Sequence, residues 1–199
     1  KGFFTIKPTH FVSLGSNEKT NFTQELKVVL KDLKPGDSVA VGLVLGDITI
    51  VGTGTVSVVN GSDVWVFGHS LIQAGEVNYP LLSAETHGVG PSRGSSFKLA
   101  GTGELIGTFT QDRLSAVYGH LGQTPEMIPV RINFKKNGQK QNLNFYIVKH
   151  DKLAPILLKI ILDNVLAEFS DDQECSIFSK GEISTTDAKP KPFYFSEHG

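Results

Sequence analysis

Short runs of β-branched and aromatic residues, separated by glycine-bearing turns, occupy most of this chain, and that pattern predicts strands rather than helices. The clearest pair of runs is 56–59 and 64–67, joined at Asn60-Gly61, a dipeptide that supplies the positive φ angles of a type I′ hairpin turn. A second hairpin is expected from 130–135 through Asn137-Gly138 to 143–148. A third is expected from 39–45 through Gly46-Asp47 to 48–51. Further strand-like runs lie at 24–30, 104–110 and 116–118. Strands at such short spacing belong to sandwiches and barrels. The chain is therefore expected to be mostly β, with an antiparallel sheet closed or nearly closed into a barrel.

One stretch departs from this rhythm. Leu153, Ile156, Leu157, Ile160, Ile161, Val165 and Phe169 recur at helical spacing, with Lys159, Asp163 and Glu168 on the other positions. An amphipathic helix over 153–169 follows, its apolar stripe expected to lie on the sheet. Those charged residues interrupt the longest apolar run, so no membrane span is expected. Near the C-terminus, Lys189-Pro190-Lys191-Pro192 precedes Phe193-Tyr194-Phe195. The prolines predict an irregular tail over 185–199.

The chain has 199 residues, enough for one domain, 1–199, with a full core. Lys plus Arg number 19 against 20 Asp plus Glu, which leaves no basic excess for a phosphate backbone and excludes nucleic acid as an expected partner. The single cysteine, Cys175, excludes an internal disulfide and a cysteine-based zinc site. The chain starts at Lys1, and it is expected to begin inside a longer gene product.

The sharpest chemical feature is Trp65-Val66-Phe67-Gly68-His69-Ser70, a strand that ends in glycine and then presents an imidazole. Imidazole titrates near neutrality, and a neighbouring glycine lets a reacting group approach, so His69 suits a general base; a structural loop histidine fits the same spacing. The glycine-rich segment 71–103 is expected to be a long irregular loop lining a groove beside it. Within it, Ser92, Ser95 and Ser96 lack the flanking glycines of a nucleophile elbow and read as turn residues. His69, Glu76, Glu85 and His87 include metal-ligand types at no diagnostic spacing, so no metal and no cofactor is assigned. Gly52-Thr53-Gly54 lacks the lysine of a phosphate loop and is expected to mark strand twisting or bulging. Asp112-Arg113 is expected to anchor a turn; nothing in the sequence brings Asp112 to His69. His10, His120, His150 and His198 have no evident companions.

Taken in order, Leu33-Lys34-Pro35-Gly36, Gly46-Asp47, Gly52-Thr53-Gly54-Thr55-Val56, Phe67-Gly68-His69, Ser95-Ser96-Phe97-Lys98-Leu99, Ile106-Gly107-Thr108, Gln111-Asp112-Arg113, Tyr118-Gly119 and Leu121-Gly122 resemble SpoIVB-type serine peptidase domains over about residues 33–134. The resemblance implies a trypsin-like barrel, circularly permuted, with His69 in the place of the family's general base. It also implies a polypeptide substrate or protein partner and a bacterial cell envelope or extracellular location. The family's Gly-Met-Ser-Gly-Ser-Pro type motif has no counterpart here, the only methionine being Met127 between Glu126 and Ile128, and the family's aspartate has none either. The expectation is thus the histidine-bearing portion of a serine endopeptidase, completed by a serine-bearing segment of the same gene product. A catalytically inactive relative serving as a binding or assembly module is the alternative, and a metal-dependent hydrolase using His69 and His87 is a distant third. A barrel short of strands is expected to leave unpaired edges.

Overall fold

A computed structural model describes residues 5–6, 26–90, 97–136, 139–169, 176–185 and 188–198, with side chains described for 26–85, 101–133 and 142–165. Its elements in chain order are β1 (Thr5–Ile6), β2 (Ser38–Gly46), β3 (Ile50–Asn60), β4 (Asp63–Val66), β5 (Gly75–Gly90), β6 (Phe97–Arg113), β7 (Ala116–Leu121), β8 (Met127–Lys136), β9 (Gln139–Val148), α1 (Leu153–Phe169), β10 (Ser176–Thr185) and β11 (Ala188–His198). The described chain divides into two compact units, 1–159 and 160–199.

In the first unit every neighbouring pair of strands is antiparallel, and six of them close on themselves in the order β2-β3-β4-β7-β6-β5, with β5 returning to β2. Placing β5 beside β2, after the hairpin-linked run β2-β3-β4, is a Greek-key connection. Each of the six pairs on both sides, so the expected unpaired barrel edge is absent from this closed ring. The barrel expectation holds. β2 shares its second edge between β5, along 39–41, and β9, along 44–46, so the β8–β9 hairpin branches from the barrel wall.

Period-two alternation fills the interior. Val39, Val41, Val64, Val66, Leu81, Phe109 and Val117 are all buried. The opposite face of the β2–β5–β6 wall is covered too: Ala40, Leu82 and Leu105 form a cluster against which Leu26 and Val28 pack. Those two residues belong to the run expected as a strand over 24–30. Its described part is not a strand, and Val29 N–H donates to the Leu105 carbonyl at 2.8 Å.

Three further expectations need correction. Asn60 pairs with Asp63, so the hairpin's two-residue loop is Gly61-Ser62, one position later than expected. Gly61 has φ +59 while Ser62 is not among the positive-φ residues, which is the glycine-first pattern of type II′, not type I′. The β2–β3 connection is a longer loop rather than a two-residue turn, because Val44 pairs with Ile50. Most of 71–103, expected as an irregular loop, is strand: Gly75, Gly88 and Gly90 lie within β5 and Gly101 and Gly103 within β6, and the pairing of the two strands is broken by several register shifts. The turn at Asn137-Gly138 and the serine cluster at 91–96 lie outside the described residues.

The helix over 153–169 forms as expected. His150 caps it twice: its carbonyl accepts from Ala154 N–H at 2.9 Å, and its Nδ1 accepts from the N–H groups of Lys152 and Leu153 at 3.3 Å. Pro155 sits in the first turn, where its missing N–H costs nothing. Leu157, Ile161 and Val165, spaced by four, are the buried stripe. In the second unit β10 and β11 pair as a two-stranded sheet, so the tail expected to be irregular over 185–199 is mostly strand. Pro190 and Pro192 are tolerated there because a two-stranded ribbon leaves each strand one free edge, where an N–H is not needed. No helix among the described residues is long and apolar enough to cross a membrane.

Tyr79 is fully buried in the barrel, and its hydroxyl has no hydrogen-bond partner among the described residues. Burial, followed by the nearby Asp112 carboxylate, pushes its phenol up from 10.0 to about 12. The folded form therefore holds this proton more tightly than the unfolded chain, and its stabilisation is complete below pH 10 and is lost as pH rises from 10.0 to about 12. Tyr79→Phe is expected to remove up to about 2 kcal/mol of that alkaline loss, read as a flatter stability profile in urea melts between about pH 9 and 12. Equal alkaline slopes in both proteins would contradict this.

Candidate active site

The end of β4 is shaped by two residues in the left-handed region. Phe67 has φ +73 and Gly68 φ +69, so the chain turns sharply immediately before His69. A non-glycine residue in that region is disfavoured by Cβ sterics and persists only where packing holds it. Here the packing is the Phe67 ring lying over Gly54 of β3: a Cβ built on Gly54 would fall 2.3 Å from the nearest ring carbon. Two residues along β3, a Cβ on Gly52 would meet Leu71 Cδ1 at 3.3 Å. Gly52-Thr53-Gly54, expected to mark twist or bulging, thus serves as the seat for the turn that carries His69.

The other fastening is Asp112, near the end of β6. Its side chain is 0% exposed, and its carboxylate accepts three backbone N–H bonds: Leu71 to Oδ1 at 2.7 Å, Ile72 to Oδ2 at 2.9 Å and Ala74 to Oδ2 at 3.0 Å. Gln73, with φ +59, lies within the gathered segment. Asp112 and Arg113 therefore do not act as a pair. Strand alternation turns Asp112 inward and leaves Arg113 exposed, where its Nε donates to Gln111 Oε1 at 3.3 Å.

His69 is solvent-exposed, its ring 5.7 Å from that of Phe67. Its Nδ1 lies 2.6 Å from the Ser70 carbonyl oxygen. A carbonyl only accepts, so Nδ1 carries the hydrogen and the neutral ring keeps its lone pair on Nε2. That is the protonation pattern of a general base. Asp112 does not bond the ring; it holds the backbone immediately after it. Glu76 and Glu85 are exposed on β5, and the side chain of His87 lies outside the described residues.

A second polar constellation, not legible beforehand, lies on β4 and β7. The pairing sets Asp63 opposite His120 and Trp65 opposite Tyr118. Asp63 Oδ1 accepts from His120 Nδ1 at 2.8 Å and from the Tyr118 hydroxyl at 3.1 Å. Trp65 and Tyr118 rings lie 5.0 Å apart, and Tyr118 meets His120 edge-on at 4.9 Å. Partial burial and then the Asp63 carboxylate raise the Tyr118 phenol above its ordinary value. With Asp63 and His120 partly exposed, the cluster latches β4 to β7 across a register that no local sequence signal reveals.

Comparison with known proteins adds no relative: no family model, no curated protein and no solved structure matches this chain.

Proposed function

We propose that this barrel presents His69 as the general base of a serine endopeptidase site whose nucleophile comes from a serine-bearing segment of the same gene product outside residues 1–199. The observation that carries the reading is the His69 ring itself, exposed on a clamped turn, with Nδ1–H spent on the Ser70 carbonyl and Nε2 free to accept a proton. The resemblance of 33–134 to SpoIVB-type peptidases supports the same role, a polypeptide substrate and a place in the bacterial cell envelope or outside it. Closure of the ring favours a second reading, a catalytically inactive binding or assembly module, because no gap in the six strands calls for a serine-bearing strand to fill it.

A serine-directed fluorophosphonate separates the two. Residues 1–199 alone are expected to remain unlabelled, since no serine here has a nucleophile's flanking residues. The gene product as made in its own cell is expected to label at a serine outside 1–199, and His69→Ala is expected to abolish that label. Absence of label in both preparations overturns the peptidase reading and leaves the binding module.

A further inference from the structure

We propose that Asp112 is a positioning residue for His69, acting on the imidazole through the Ser70–Leu71 peptide group. Two contacts of the turn share one amide. Asp112 Oδ1 accepts from Leu71 N–H at 2.7 Å, and the carbonyl of that same amide, Ser70 O, accepts from His69 Nδ1 at 2.6 Å. In a trans peptide the N–H and C=O point in opposite directions, so one planar group reaches a buried carboxylate on one side and an exposed imidazole on the other.

The consequence is electronic as well as steric. An anion accepting from the N–H polarises the amide and shifts electron density toward its oxygen, which strengthens the oxygen as an acceptor for the next hydrogen bond in the chain. Ser70 O therefore holds the imidazole in the Nδ1–H tautomer more firmly than an isolated carbonyl does. In a serine-histidine-aspartate triad a carboxylate bonds Nδ1 directly and fixes tautomer and ring orientation. Here a carboxylate sealed in the barrel wall, 0% exposed, does so at one amide's remove. The remaining bonds, from Ile72 and Ala74 to Oδ2, hold the carboxylate so that Oδ1 stays aimed at Leu71. The tautomer relay stands on this geometry alone; its use in proton transfer rests on the general-base reading of His69.

Nitrogen-15 spectra of histidine-labelled protein, taken at about pH 9 where imidazoles are neutral, read the tautomer directly. The unmodified chain is expected to show His69 mainly as Nδ1–H, with the Leu71 amide slow to exchange. A majority Nε2–H form, or a Leu71 amide exchanging at the rate of an open loop, overturns the relay with no variant needed. Asp112→Asn keeps an acceptor oxygen and removes the charge, and it is expected to lower the Nδ1–H to Nε2–H ratio about fivefold, the difference between a charge-assisted and a neutral hydrogen bond. If that variant loses protection at Ile72 and Ala74 while His69 keeps its tautomer, Asp112 is a loop anchor only and the proposal fails. Should Asp112→Asn not fold, the same change is read in a Gln73→Gly background, which relieves the φ of +59 at that position. Failure of the endopeptidase reading looks different: fluorophosphonate labelling is absent while the tautomer shift is intact.

Discussion

Asp112→Ala is expected to lower stability by about 4 kcal/mol. The alanine leaves three backbone N–H groups, those of Leu71, Ile72 and Ala74, without the acceptor they now share. Hydrogen bonds to a charged acceptor contribute about 1.5–3 kcal/mol each, and water reaching the outer edge of the turn offsets part of the loss. The loss comes on top of a cavity where a fully buried side chain stood. Urea unfolding monitored by Trp65 fluorescence reads it, since Trp65 lies on β4, the strand that leads into the turn. A midpoint shift worth less than about 1 kcal/mol, within the range of an ordinary surface change, would show that the turn is held elsewhere.

Gly54→Ala is expected to cost about 2–3 kcal/mol through crowding rather than loss of a bond. The added methyl would lie 2.3–2.7 Å from three Phe67 ring atoms, so the ring has to leave its seat. Phe67 is held at φ +73 by that packing, and once the ring is displaced nothing offsets the strain of the left-handed backbone. The turn is therefore expected to relax together with the ring, changing the amide and ring signals of 67–72 while those of β8 and β9 stay in place. Phe67→Leu combined with Gly54→Ala makes room for the methyl and is expected to recover part of the loss. No recovery in the double variant would mean that the clash lies with another neighbour.

Much of the barrel is legible in the residues alone because its hairpins carry local signals. Glycine beside Asn60 announces a reversal, and the β-branched runs on either side of it have nowhere to go but back along one another. Finer detail escapes for identifiable reasons. Gly61 supports either primed turn, and only the Asn60–Asp63 register decides between them. Gly75, Gly88, Gly90, Gly101 and Gly103 look like loop residues, yet two long paired strands with repeated register shifts use the same composition. Pro190 and Pro192 read as breakers because nothing local says that their strand belongs to a two-stranded ribbon.

The candidate site divides in the same way. His69 is visible as an imidazole following a glycine at a strand end. Its supports are not, because Asp112 lies 41 residues from Leu71 and meets it only once β6 has closed against β5. Asp63 and His120 are similarly separate in sequence and become neighbours through the β4–β7 pairing. Such contacts belong to topology, and hydrophobic periodicity within one element carries no information about them.

Leu71 touches both fastenings at once: its side chain approaches Gly52 on β3, and its amide donates to Asp112 on β6. These two strands are not neighbours in the ring, being separated by β4 and β7. The turn is thus strung between two different walls, tied to each by a separate contact of one residue. A span tied at both ends owes its place to both, so the Ser70–Leu71 amide is set by β3 and β6 together. His69 is in that sense placed by two strands that never pair with each other as well as by the residues on either side of it.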